Sequence, residues 1–370
     1  MDLFLVEYLI AGLIGAVCSL FIQSIIYPRF SKWILQRRNA ERLALINKRF
    51  DSFGEIFQNL KLQQAGWSQD GAFEPSTIRI ELTENNYILP DQIRINILDR
   101  YEEEWGNTAS DDKKIGVSSL MISRIIDNPE VEEKGLAQKI IITTHTYNYY
   151  SFLATHRRLA YREPADMRIL EPYLSKLVKF SPIHGFPNPL SVGLTLLCES
   201  GNILVLPIRT NKLESGGDWH GGKTFNAVGE QANISDFRNE LGGKKISDPY
   251  VIARRGLHEE MGFSQKDIDN CEIRIHSLAW ASDICDHKFF GYAVTKLAEN
   301  EVRNRWENSP DRHENSELHF FSVETRSMAT VFWLKVLPVS ESWAPEALFC
   351  TARTLALYGK LLPEDLLPKV

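Results

Sequence analysis

The residues best suited to chemistry lie in one stretch, Ser247-Asp-Pro-Tyr-Val-Ile-Ala-Arg-Arg-Gly-Leu-His-Glu-Glu-Met-Gly-Phe263. Glu259 and Glu260 are adjacent carboxylates, and carboxylate oxygens are hard ligands that suit Mg²⁺ or Mn²⁺. Arg255 stands four residues before Glu259, where a guanidinium can meet either a carboxylate or a phosphate. The element that must position these groups is a helix. Asp248 is a good N-cap, Pro249 suits the first helical position, and Gly262 falls where a left-handed residue ends a helix. Ala253, Leu257 and Met261 recur every four residues and predict a buried stripe. Arg255, Glu259 and Glu260 are expected off that stripe.

Arg255-Gly256-Leu257-His258-Glu259-Glu260-Met261-Gly262-Phe263 resembles the helix of the Nudix box, Arg-Glu-aliphatic-x-Glu-Glu-x-Gly-aliphatic. The family has a glutamate, often the catalytic base or a metal ligand, where this chain has Gly256. Trp219-His-Gly-Gly-Lys223 followed by Gly229-Glu230 is similar to the family's glycine-rich turn. The interval from Gly222 to Glu230 is two residues longer than the family's, and the interval from Glu230 to Arg255 is longer still. Counting back from Arg255 at the family spacing lands on Ser247, which is no carboxylate.

The resemblance implies an α/β fold, a Nudix-like α/β/α sandwich over residues 190–365. It makes Glu259 and Glu260 the metal ligands and Mg²⁺ the cofactor. A hairpin, Val192–Cys198 and Ile203–Ile208 ending in Arg209, precedes the box. Arg209, Lys223, Lys244, Lys245 and Arg255 are candidate phosphate contacts, each a weak signal by itself. Trp219, Phe225 and Trp280 could each stack a base, although core packing is the commoner role for any one of them. Without a glutamate at Gly256 the box suits binding more than turnover.

Tyr8–Tyr27 contains no charged residue, and twenty helical residues span the roughly 30 Å hydrocarbon core. The segment is followed by Arg29, Lys32, Arg37, Arg38, Arg42, Lys48 and Arg49 and preceded by no basic residue. The positive-inside rule then predicts a single-pass transmembrane helix over 8–27, N-terminus outside and the rest cytoplasmic. Ala11, Gly15 and Ser19 repeat at a spacing that lets helices approach closely in lipid. Leu43, Ile46, Phe50, Phe53, Phe57 and Leu60 alternate steps of three and four, which predicts an amphipathic juxtamembrane helix over 29–66.

Residues 70–160 read as a strand-rich module without recognisable chemistry. Ile78, Ile80 and Leu82 alternate with polar residues, as do Ile93, Ile95 and Ile97, and Ile140–Tyr149 is β-branched and aromatic. A short helix around Arg168–Val178 and the turn-rich linker Pro182–Pro189 lead to the last domain, which ends in a helix within Trp343–Lys360. Asp283, Asp286 and His287 form a polar cluster after the run Cys271–Trp280. The net charge of -6 argues against DNA or RNA duplex binding. Five scattered cysteines without CxxC spacing suit a reducing compartment and carry no zinc signal.

The whole arrangement resembles the membrane effectors of cyclic-oligonucleotide-based antiphage signalling (CBASS) that carry a nucleotidyltransferase-associated Nudix-like domain. The resemblance implies a bacterial inner-membrane protein that senses a cyclic nucleotide or oligonucleotide second messenger. Its partners would be that messenger, membrane lipid and further copies of itself in a homo-oligomer. Two other readings stay open: a membrane-tethered Nudix hydrolase of nucleoside diphosphate derivatives, and an interaction protein whose fold has lost its ligands.

Overall fold

A computed structural model describes residues 62–67, 72–99, 113–125, 137–161, 163–175, 181–210, 222–240, 243–281, 286–336 and 342–361. The chain is mixed α/β with two sheets. Its strands are β1 (Leu62–Trp67), β2 (Ile78–Asn86), β3 (Lys113–Ile125), β4 (Ala137–Asn148), β5 (Leu190–Cys198) and β6 (Ile203–Arg209). They continue with β7 (Val228–Gln231), β8 (Arg238–Asn239), β9 (Lys245–Ser247), β10 (Glu272–Ala281), β11 (Asp286–Val294) and β12 (Asn315–Ser322). The first sheet has the order β1-β10-β11-β5-β6-β12, with β7 also paired to β5; the second has the order β3-β4-β2-β9-β8.

β5 is buried along its whole length, although Leu190, Val192, Leu194 and Leu196 alternate with the small residues Ser191, Gly193 and Thr195. Helices cover both of its faces. Val192, Leu194 and Leu196 pack with Ile252, Ala253 and Leu257 of α2 (Pro249–Glu259). α1 (Pro164–Leu174), the short α3 (Gln265–Asp269) and α4 (Glu299–Glu307) also cover core residues. Leu197 belongs to the other face, beneath α5 (Arg326–Val336) and the largely buried α6 (Pro345–Leu357). The expected β5–β6 hairpin and the closing helix are both present.

Two expectations change. Ile93, Ile95 and Ile97 lie in a helical turn, Asp91–Ile93, running into a π-type turn, Arg94–Leu98. Ile93 and Ile97 are four apart and buried while Ile95 is exposed, so the alternation was a helical spacing with an extra isoleucine. Residues 62–67 form strand β1 where the amphipathic helix was expected to end. Pro182–Pro189 is turn-rich as expected, and the buried Ile183 and Phe186 pin it to the core.

The strand-rich module and the following domain also share a sheet. β8 and β9, inserted between β7 and α2, pair with each other, and β9 pairs with β2. The long interval between Glu230 and Arg255 is this excursion into the second sheet. Among the described residues no helix is long and apolar enough to cross a membrane, and Tyr8–Tyr27 lies outside them.

Candidate functional site

α2 is built as its sequence dictates. The Asp248 carboxylate accepts from the backbone N–H groups of Tyr250 (2.9 Å) and Val251 (3.2 Å). Gly262 turns left-handed with φ +68°, and Phe263 N–H closes the end on the Leu257 carbonyl at 3.1 Å. Ala253, Leu257 and Met261 are fully buried, and Ile252 joins them. Gly256 lies on the same face, directly over β7. A Cβ there would sit 2.3 Å from Val228 Cγ1 and 3.1 Å from Glu230 Cβ. Helix and strand are therefore too close to admit a side chain at Gly256.

Arg255 spends its whole guanidinium inside the protein. Nε and Nη2 donate to the two Asp236 oxygens at 2.8 and 3.1 Å, and Nη2 also donates to the Gln231 carbonyl at 2.6 Å. Nη1 pairs with Glu230 at 2.9 Å and Glu259 at 2.6 Å. Five N–H groups meet five acceptors, leaving no donor for a phosphate in this arrangement. Arg255 clamps α2 to β7 and to the turn Ile234–Asp236. Ser247, also buried, donates to the Asp236 carbonyl at 2.8 Å and steadies that turn.

The two neighbouring glutamates part company. Glu260 is 1 % exposed, contrary to its expected place off the packed stripe, and accepts the Gly229 N–H at 2.7 Å. Arg209 Nη1 is 3.9 Å from Glu260 and 2.7 Å from Glu314. Burial above all, then Glu314 and Glu230, pushes the Glu260 acid well above the usual carboxylate range, against the pull of Arg209 and the Gly229 amide. Glu259 faces outward and meets two carboxylates that come from elsewhere. One oxygen each from Glu230, Glu259 and Asp311 lies within 4.8 Å of the others.

Asp311 is carried there by the chain beyond α4, and its N–H donates to the Glu259 carbonyl at 3.0 Å. Burial raises Glu230 to about 7, overcoming Arg255 and Lys114, and Glu259 adds to the rise. Asp311 is raised by burial, Glu314 and Glu259. Glu230, Glu259 and Asp311 together form an all-oxygen donor set, which fits a hard divalent cation.

The metal expectation thus divides. Glu259 belongs to the carboxylate group, whereas Glu260 belongs to the buried network behind it. Arg209 lies over the Phe225 ring at 5.1 Å and is tied to Glu314. Lys223 is half-buried beside it, its carbonyl accepting from Arg209 N–H at 2.9 Å. Trp219 lies outside the described residues. Phe225 and Trp280 are buried in the core, and Asp286 and His287 are buried on β11 instead of exposed in a loop. Asp236, Asp311 and Glu314 were not singled out from sequence. Asp236 carried one weak signal, an Asn-x-x-Asp capping pattern from Asn233; Asp311 and Glu314 carried none.

No protein-family model matches this chain, and no curated protein matches it in sequence.

Proposed function

We propose that this chain is a membrane-anchored effector of a CBASS-like antiphage system. Its Nudix-like cytoplasmic domain binds a cyclic nucleotide and promotes self-association and membrane disruption. Glu230, Glu259 and Asp311 hold Mg²⁺, which supplies positive charge to ligand phosphates, while Arg209 ends β6 and Lys223 lies in the turn bonded to it. The observation that carries this reading is Gly256 packed on Val228: the box keeps a carboxylate group but has no space for the family's glutamate. Helices on both faces of the sheet around β5 support the Nudix-like sandwich. The membrane anchor rests on the uncharged run Tyr8–Tyr27.

A second reading has one specific observation in its favour. Glu230, at about 7, could hold or accept a proton near neutrality, as a general base must. In that case the domain hydrolyses nucleoside diphosphate derivatives. Calorimetry of the full chain in detergent, with Mg²⁺ and a panel of linear and cyclic nucleotides, separates the two when the mixtures are then analysed for products. Binding of a cyclic nucleotide without turnover supports the sensor. Turnover abolished by Glu230→Gln supports the hydrolase. Neither binding nor turnover overturns both and leaves an interaction protein.

A further inference from the structure

The second sheet carries a pair of side chains that the proposed function does not use. β3 and β4 are antiparallel, with Gly116 opposite His145 and Val117 opposite Thr144, and then the register slips so that Ser119 faces Thr143. Ser118 is the extra residue of that bulge. Bulges re-aim side chains, and they are over-represented beside active sites. Ser118 is exposed, and its Oγ lies 2.8 Å from Nδ1 of His145, which is only 8 % exposed.

The imidazole is held from three sides. Tyr87 stacks on it with ring centroids 5.5 Å apart and planes at 23°. The Tyr87 hydroxyl is itself fixed, donating to the Gly185 carbonyl at 2.7 Å. Nε2 is buried without a hydrogen-bond partner, and the Pro187 carbonyl is the backbone acceptor beside the ring. Gly116 makes this approach possible. A Cβ there would lie 1.8 Å from the Pro187 oxygen and 2.7 Å from Nε2. A carbonyl beside the ring repels a lone pair and cannot donate, so the tautomer compatible with it has the proton on Nε2. Nδ1 then presents its lone pair to the Ser118 hydroxyl.

A nucleophile within hydrogen-bond reach of a base, with the base oriented by a third group, is the arrangement that activates serine. We propose that Ser118 and His145 form a nucleophile–base pair that accepts an acyl group from an ester. In this step Ser118 Oγ bonds to the ester's carbonyl carbon while its proton passes to His145 Nδ1. The carbon–oxygen bond to the leaving group breaks, and the departing alcohol takes that proton. Water attacking the acyl-serine by the same route releases the acid. Burial lowers the His145 pKa, which keeps the ring neutral and able to accept the proton at physiological pH.

The test is covalent labelling of the full chain in detergent with a fluorophosphonate, followed by intact-mass measurement and peptide mapping. The expected result is one adduct, on Ser118, absent in Ser118→Ala. Its formation rate should fall at least about tenfold in His145→Gln, given that a positioned base typically contributes 10²–10⁴-fold. 4-Nitrophenyl acetate should leave a transient acetyl group on the same serine. Circular dichroism and melting temperature identify which variants are folded. A folded wild type that takes no adduct on Ser118 overturns the proposal. So does labelling of the exposed neighbour Ser119 at the same rate, or a folded His145→Gln that reacts as fast as wild type.

Discussion

Replacing Gly256 with alanine adds one methyl group to the middle of α2, where alanine is ordinarily favoured over glycine by about 1 kcal/mol. Here the added carbon would lie 2.3 Å from Val228 Cγ1 and 3.1 Å from Glu230 Cβ. Non-bonded carbons prefer about 3.5–4.0 Å, so helix and strand must separate by roughly an ångström. Val228 cannot yield cheaply, because it is fully buried and a β-branched side chain has few χ1 alternatives. Overpacking of this kind costs about 1–3 kcal/mol, which exceeds or cancels the helix-propensity gain. The expected net loss is about 1 kcal/mol, or about 2–4 °C in Tm for a domain of this size. Tryptophan fluorescence during thermal and urea unfolding of the full chain in detergent would measure it. Val228→Ala should partly relieve the clash, giving the double variant a favourable coupling of at least about 0.5 kcal/mol. Gly256→Glu should lower Tm further than alanine does. A Gly256→Ala protein more stable than wild type would refute the steric account, and so would a Gly256→Glu protein of unchanged Tm.

Mn²⁺ binding followed by paramagnetic resonance should weaken at least about tenfold in Glu259→Gln or Asp311→Asn, as loss of one charged ligand from three implies. Because Glu230 keeps its proton up to about 7, the cation must displace that proton, and affinity should rise with pH through that value in wild type but far less in Glu230→Gln. Glu260→Gln should behave differently. The folded acid lies above its unfolded value, so its contribution to stability is lost as pH rises above about 4.5, and the neutral amide should flatten the fall of Tm with pH. His276 has the opposite sign. Burial and Arg353 hold it well below 6.5, so the unfolded chain takes up its proton first and stability is lost as pH falls through about 6.5. A folded His276→Gln should show a shallower acid decline in urea midpoint, and an unchanged slope would show that other groups govern it.

What could be read from sequence was local. The caps at Asp248 and Gly262 and the stripe Ala253–Leu257–Met261 are set by residues a few positions apart, and they located α2 correctly. Glu260 was misplaced although a helix wheel carries it: three residues after Leu257 and four after Gly256, it falls within the face that packs on β7, and only its charge argued against burial. The segment around Ile95 was ambiguous in itself. Isoleucines spaced by two satisfy a strand pattern, while two of them spaced by four also satisfy a helix, and only packing decides. Asp311 was beyond reach for a different reason. Its place beside Glu259 depends on how α4 returns the chain across the sheet, and one sequence contains no trace of that distance.

The shared second sheet constrains the order in which the chain can assemble. β2 cannot acquire its β9 neighbour until Ser247 has been synthesised, since Ile80 pairs with Ser247 and Leu82 with Lys245. β1 waits longer, because Leu62 pairs with Ala281. Contacts so far apart along the chain must pay for closing long loops before any pairing energy returns, and such topologies fold slowly. During translation β2 therefore keeps an open edge that can pair with other strands. β3 and β4 can close early as a near neighbour pair, and so can β5 with β6 and β10 with β11. The nascent protein depends on protection of the β2 edge from the moment it emerges until the β8–β9 excursion arrives to cover it.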